Sequence, residues 1–263
     1  MKYIYRERGR DKMYKTWHSH GEYMVIYFYS DGGSLITGEQ SYPIKRGALA
    51  VVAPGKYHYT VPTEPAEYER SKLFFAEDEA KKCFMLTGFF DCPNGALTYA
   101  ALSQTDAEGA EKILEELHSA ESSSRYRDAA FYSSLMRLLV LCDKNAAEKE
   151  VGAPDAVSRA IRFINDNIFD SLTLEDIAAA VNMSKYHFCR SFKSTVGVTV
   201  MEYVLKTRIM FAKSMLSAGE LRIVEISERC GFSSVSYFCR AFRAEVGKTP
   251  LKYKKDSLAK RNQ

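Results

Sequence analysis

At 263 residues the chain is long enough for one large domain or two modest ones, and its 46% apolar content supplies a sizeable core. No run of eighteen apolar residues occurs, so no membrane-spanning helix is expected, and Met1 to Lys12 is polar and charged, without the apolar stretch of a signal peptide. Residues 155–263 hold 18 Lys and Arg against 11 Asp and Glu, a net of +7, whereas residues 1–154 net −3. Such an asymmetry fits one nucleic-acid-binding half beside another that does something else, and at this size it fits chance as well.

Residues 17 to about 102 read as β structure. Tyr23 to Tyr29 is a β-branched and aromatic run, followed by a turn at Asp31-Gly32-Gly33. Gly47 to Pro54 predicts a second strand, and Tyr57 to Val61 alternates apolar with polar residues. Short strands at this spacing predict a small barrel or jelly roll. Within it Trp17, His18, His20, Tyr27, Tyr29, Arg46 and His58 are the candidate ligand-binding residues, because aromatic side chains give a small-molecule site flat walls with polar handles. His18, His20 and His58 also raise a metal site. Glu22 stands only two residues beyond His20 and no further ligand fits cleanly, so pocket lining, a structural role and metal binding stay open, and no cofactor is assigned.

Asp106 to Ser119 and Tyr126 to Lys144 carry helical apolar stripes, with Ser122 to Ser124 between them. The second stripe, Phe131, Leu135, Leu138 and Leu139, needs a partner, either the adjacent barrel or a second copy of the chain. Asn145 to Pro154 is polar with Gly152 and Pro154 and reads as a linker. The six cysteines are scattered without a C-x-x-C pair, which fits reduced thiols and a cytoplasmic protein.

From Leu172 to Tyr253 the same unit occurs twice. Ser184 to Tyr203 aligned with Ser234 to Tyr253 gives nine identities in twenty pairs, including Phe188/Phe238, Arg190/Arg240, Phe192/Phe242 and Gly197/Gly247. Each copy predicts helix, tight turn, helix. Thr173 and Ser184 cap the first copy, Asn182 occupies its turn, and Gly231 followed by Ser233 or Ser234 serves the second. Each second helix has an apolar face, Phe188 and Phe192 or Phe238 and Phe242. The opposite faces carry Tyr186, Arg190 and Lys193 in the first copy, and Ser236, Arg240 and Arg243 in the second. With Ser184, Lys185, Cys189, Ser233, Ser234 and Tyr237, these are the candidate DNA-binding residues, since arginine, lysine and hydroxyl groups suit phosphates and base edges. Thr199 to Ser217 reads as one connecting helix of roughly 28 Å, compatible with major-groove faces about 34 Å apart.

The text LTLEDIAAAVNMSKYHFCRSFKSTVGVTVMEYV followed by IVEISERCGFSSVSYFCRAFRAEVGKTPLKYK resembles the DNA-binding domain of AraC/XylS-type transcription regulators over about 100 residues. Asn182 stands where that family usually has glycine, and Ser227 where it usually has alanine. More weakly, His18-x-His20 followed by Gly47 to Pro54-Gly55-x-x-His58 resembles a cupin barrel. The resemblance implies a multi-domain α+β chain. A cupin-like effector-sensing barrel occupies 1–104, dimerisation helices 105–145, a linker 146–154 and an all-α domain with two helix-turn-helix units 155–263. It implies an effector-responsive, sequence-specific transcription regulator without a catalytic step. Its partners would be a double-stranded operator and a small effector such as a sugar or other metabolite. It would form a homodimer through the stripe of Phe131, with RNA polymerase admitted as a further partner. Two other readings remain open at this point: a metal-dependent cupin enzyme fused to a DNA-binding domain, and an effector-independent DNA-binding protein.

Overall fold

The computed structural model describes residues 3–9, 17–64, 68–87, 97–121, 125–147 and 155–261. The chain divides into two compact units, 1–154 and 155–263. Most of the expected linker, 148–154, and the segment Ser122 to Ser124 lie outside the described residues.

The first unit contains the strands β1 (Tyr3–Gly9), β2 (Tyr23–Phe28), β3 (Ser34–Thr37), β4 (Ser41–Pro43), β5 (Ala48–Val52), β6 (His58–Val61) and β7 (Arg70–Phe75). They are followed by helix α1 (Glu77–Thr87), strand β8 (Leu97–Ala101) and helices α2 (Gln104–Glu121) and α3 (Arg127–Ala147). The strands form two antiparallel sheets, β1-β7-β2-β5-β8 and β4-β3-β6. A barrel was expected from the strand spacing, but among the described residues no ladder closes the two sheets into one. A single bridge, His18 to His58, joins the segment before β2 to β6. The reason lies in the large sheet, which is covered on both faces. Met24, Ile26 and Phe28 of β2, with Ala48, Ala50 and Val52 of β5, pack toward Leu35 of the small sheet. The alternate residues Val25, Tyr27, Leu49 and Val51 pack on α2 and α3. Strands buried on two faces read as continuous apolar runs, which leaves layering, sandwich or barrel, undetermined.

Three local features differ from expectation. Tyr3–Gly9, read only as a polar start, is an edge strand on β7, with Tyr3 stacked on Phe131 at 3.8 Å between ring centroids. Glu77–Thr87, placed in the β region, is a helix. The stripe Phe131, Leu135, Leu138 and Leu139 is fully buried inside its own unit, against α2, β5 and β1. It is therefore core and not a surface for self-association: the sheet supplies the partner that the stripe requires.

The second unit is helical: α4 (Ala156–Asp166), α5 (Leu174–Ala180), α6 (Lys185–Val196), α7 (Val200–Ala218), α8 (Ile223–Arg229), α9 (Val235–Val246) and α10 (Pro250–Arg261). Thr173 opens α5 with a capping box to Asp176, and Asn182 takes φ 57° in the turn before α6. Phe188, Phe192 and Val196 bury one side of α6; Phe238, Ala241 and Phe242 do the same for α9, on Ile209, Ala212 and Leu216 of α7. The connecting helix α7 ends at Gly219 in the left-handed conformation.

Candidate nucleic-acid interface and ligand cleft

The amphipathic spacing of α6 and α9 decides which side chains reach solvent. With Phe188 and Phe192 held inside, Tyr186 stands 74% exposed, and Lys185, Arg190 and Lys193 are exposed beside it. On α9, Ser236, Tyr237, Arg240 and Arg243 are exposed. Cys189 is only half-buried and lies at the edge of the α6 face. Two of the candidates have other work. Lys185 pairs with Glu175 at 2.5 Å. Ser234 caps α9, its Oγ accepting the Tyr237 N–H at 3.2 Å, while Ser184 at the start of α6 makes no side-chain cap bond. Cys189 offers only a weak thiol donor.

Arg190 and Arg240 make no ion pair among the described residues. The two carboxylates nearest in sequence pattern are already engaged: Asp176 accepts from Thr173, and Glu225 accepts from Arg222. Both guanidiniums therefore stand ready for an outside acceptor.

Sequence reading missed Arg208 of α7. Its Nε donates to the carbonyl of Ile168 at 2.9 Å, Nη1 to Gly231 at 2.7 Å and Nη2 to Asp170 at 2.6 Å. The first of these carbonyl groups lies in the α4–α5 connection and the second in the turn between α8 and α9, so one planar fork ties that connection to the second turn. Gly231 has φ +71°, and a Cβ there would meet the Phe169 carbonyl oxygen at 2.8 Å and the Arg208 guanidinium at 3.0 Å. The turn thus needs glycine for conformation and for space. An arginine that binds only backbone carbonyls has no acidic partner in sequence to betray it.

In the first unit a cleft of about 450 Å³ opens on the side of β7 away from the helices. His18, His20 and His58 line it, together with Thr60, Arg70 and Lys72. Trp17 lies beside this group, its ring edge-on to Tyr59 at 4.9 Å. Tyr27, Tyr29 and Arg46 are elsewhere. The Tyr27 hydroxyl donates to Glu111 of α2 at 3.1 Å, Tyr29 meets Ser71 at 3.0 Å, and Arg46 sits 4.0 Å from Glu111. They occupy the helix-covered side of the sheet, one residue out of phase with the cleft. Arg70 and Lys72 escaped the sequence reading, although their alternation with Leu73 and Phe75 in RSKLFF places both on one face.

The His58 Nδ1 donates to the Lys56 carbonyl at 2.9 Å and the His20 Nδ1 to the Glu22 carbonyl at 2.8 Å. A carbonyl can only accept, so each ring carries its proton on Nδ1 and turns the lone pair of Nε2 outward. Burial, with His18, His20 and Lys72 nearby, drives the His58 pKa down to about 3. The unfolded chain protonates this residue below about 6.5, whereas the folded unit keeps it neutral. The first unit is therefore expected to lose stability as pH falls from 6.5 toward 3, less steeply in His58→Gln, as read by melting at a series of pH values. Among the described residues no group of three or more His, Cys, Asp or Glu is placed to hold a metal ion. No helix among them is long and apolar enough to cross a membrane.

Residues 177–256 match the family model described as a helix-turn-helix domain. YdeC of Bacillus subtilis (strain 168), an uncharacterized HTH-type transcriptional regulator, is 35% identical over 99 residues, which are 38% of this chain and 34% of YdeC. The chain thus spans about a third of that relative's length. YbfI of the same organism, also an uncharacterized HTH-type transcriptional regulator, is 26% identical over 238 residues, 89% of this chain and 84% of YbfI. Among solved structures, the C-terminal domain of AraT, a response regulator from Geobacillus stearothermophilus, is 32% identical. It covers 39% of this chain and 85% of that chain with a TM-score of 0.38.

Proposed function

We propose that the chain is a sequence-specific transcription regulator of the AraC/XylS type, whose α6 and α9 enter adjacent major grooves of one operator and whose first unit senses a small molecule. The observation that carries the DNA half is the pair of exposed, unlike faces on a duplicated frame, each with an arginine that makes no ion pair among the described residues. Tyr186, Arg190 and Lys193 on one helix and Ser236, Arg240 and Arg243 on the other present different donors, so one chain reads two unlike blocks about one helical turn apart. The positive net charge of residues 155–263 supplies the phosphate attraction. The cleft over β7 supports the sensing half. Ligand occupancy would act by favouring one arrangement of the two units over another.

Selection of binding sites from random DNA, with melting curves in parallel, tests the DNA half. A bidentate arginine–guanine contact contributes about 1–3 kcal/mol of discrimination. Arg190→Ala is expected to relax preference in one block and Arg240→Ala in the other, with folding unchanged. Lys193→Ala, as a phosphate contact, lowers affinity on all sequences alike and reduces the salt slope by about one. Identical motifs from the parent and both arginine variants would overturn base reading by these residues.

A further inference from the structure

The cleft of the first unit is lined by three side chains that each keep one polar atom unmet. Nε2 of His20 and Nε2 of His58 are buried without a hydrogen-bond partner, and the Nδ1 contacts described above leave each of them a lone pair. Nε–H of Arg70 is a buried donor without an acceptor, although Nη1 of the same guanidinium donates to the hydroxyls of Thr60 and Tyr68, each at 2.8 Å. Lys72, on the same face of β7, has an interaction of its own. An unmet lone pair takes a neutral donor and an unmet N–H takes a neutral acceptor, so the three atoms call for two donors and one acceptor and for no charge. Their placement adds a direction. The His20 and His58 rings lie 5.0 Å apart between centroids with planes at 70°, and His20 stands edge-on to Phe74 at 5.1 Å. His58 and Thr60 are two residues apart on one side of β6, roughly 7 Å along the strand. Thr60 accepts from Arg70, so Arg70 lies further along the cleft than the imidazole pair. Ile4, Met24, Ile26 and Phe74 supply apolar wall.

We infer that the cleft takes an uncharged small molecule with an apolar body, a pair of neighbouring hydroxyl groups at one end, donated to Nε2 of His20 and His58, and an acceptor oxygen at the other, met by Nε–H of Arg70. This rests on the sensing role proposed above and narrows its ligand. Hydroxyl protons turn to suit their acceptors, which two imidazoles at a steep angle require; the two N–H bonds of an amide are fixed in one plane. A molecule hydroxylated all round would leave hydroxyls against the apolar wall without partners. A cation is disfavoured by Arg70 and Lys72 on the same wall. The three unmet atoms are covered in the present form, so the ligand reaches them as the His20 and His58 rings and the Arg70 side chain turn toward the cleft. Binding then restores hydrogen bonds that the free protein lacks.

The test is thermal shift, calorimetry and proton–nitrogen NMR of the histidine rings on the full chain, with a matched set of probes. Methyl dihydrocaffeate carries the hydroxyl pair, the apolar body and an ester carbonyl. Its dimethyl ether lacks the donors, propylcatechol lacks the carbonyl, dihydrocaffeate adds a charge, and sorbitol lacks the apolar body. The ester is expected to raise the melting temperature, since a ligand bound only by the native state stabilises it, and to move the Nε2 resonances of His20 and His58. The dimethyl ether and sorbitol are expected to have no effect, propylcatechol to bind more weakly than the ester, and dihydrocaffeate to bind no more tightly. His20→Phe, which keeps a ring against Phe74, is expected to weaken binding of the ester by at least about tenfold. Losing an acceptor on the ligand side, as in the ether, gives the same information without any risk to folding. An ester that leaves the melting temperature or the Nε2 resonances unmoved overturns the assignment, as does an ether that binds equally well or an acid that binds tighter. A response to the ether, the acid or sorbitol in those cases leaves the sensing role standing. A chain that responds to no probe, and whose operator affinity none of them changes, loses both the assignment and the sensing role and keeps only DNA binding.

Discussion

Leu135→Asp is expected to unfold the first unit. Leu135 is fully buried beside Phe131, Leu138 and Leu139 in the core shared by α2, α3 and the large sheet. Truncating such a leucine alone costs about 2–5 kcal/mol through lost burial and the cavity left behind. An aspartate there also buries a carboxylate without a partner, which costs several kcal/mol more even after the site relaxes. The sum is comparable with the whole stability of a domain, about 5–15 kcal/mol. The expected record is loss of near-ultraviolet circular dichroism and of one melting transition in the full chain, with aggregation on sedimentation. The transition of the helix-turn-helix unit persists. Had this stripe been a dimer surface, the same variant would be a folded monomer; that outcome would overturn its placement in the core.

Arg208→Met is expected to destabilise the second unit by about 3 kcal/mol, since hydrogen bonds to a charged group contribute about 1.5–3 kcal/mol each and the three made here are not additive. Methionine keeps an apolar stem but donates nothing. The carbonyl of Ile168 is left in a buried setting, while that of Asp170, an exposed residue, regains water. For a unit of about 100 residues this lowers the melting temperature by roughly 10–20 °C. Binding should respond more sharply than stability implies at temperatures where the variant is still folded. Affinity for a two-block operator is expected to fall further than affinity for either block alone, because the fork ties the α4–α5 connection to the second turn. Arg208→Lys is expected to recover only part of the loss, since one ammonium cannot span three carbonyl groups in a plane. Equal losses on single-block and two-block DNA would show that Arg208 contributes stability without setting the geometry of the pair.

The two helix-turn-helix units were legible in sequence because their determinants are local. Caps at Thr173 and Ser234, turn residues at Asn182 and Gly231, and a 3.6-residue period with phenylalanine inside and arginine outside are each set by neighbours along the chain. Duplication then doubled the signal. The same periodicity identified α2 and α3 as helices with apolar stripes, but it does not name what covers a stripe. Burial is symmetric between a sheet of the same chain and a second copy, and only tertiary structure chose the sheet. The strands show the corresponding limit: runs such as ALAVV declare burial on both faces without saying whether the sheets close. In the cleft, the histidines were found as a residue type, whereas Tyr27, Tyr29 and Arg46 were assigned to it although Tyr27 and Arg46 meet Glu111 of α2 and Tyr29 meets Ser71 on the helix-covered side of the sheet. Arg70 and Lys72 were overlooked because a charge on a strand ordinarily faces water, and only the packing of β7 against β1 and β2 shows these two to be covered. Local sequence thus determined the helices, their caps and the exposed faces of α6 and α9. The tertiary structure alone decided which sheet face became core and which became a cleft, and that one arginine ties the α4–α5 connection to the second turn, because those outcomes depend on contacts between residues far apart in the chain.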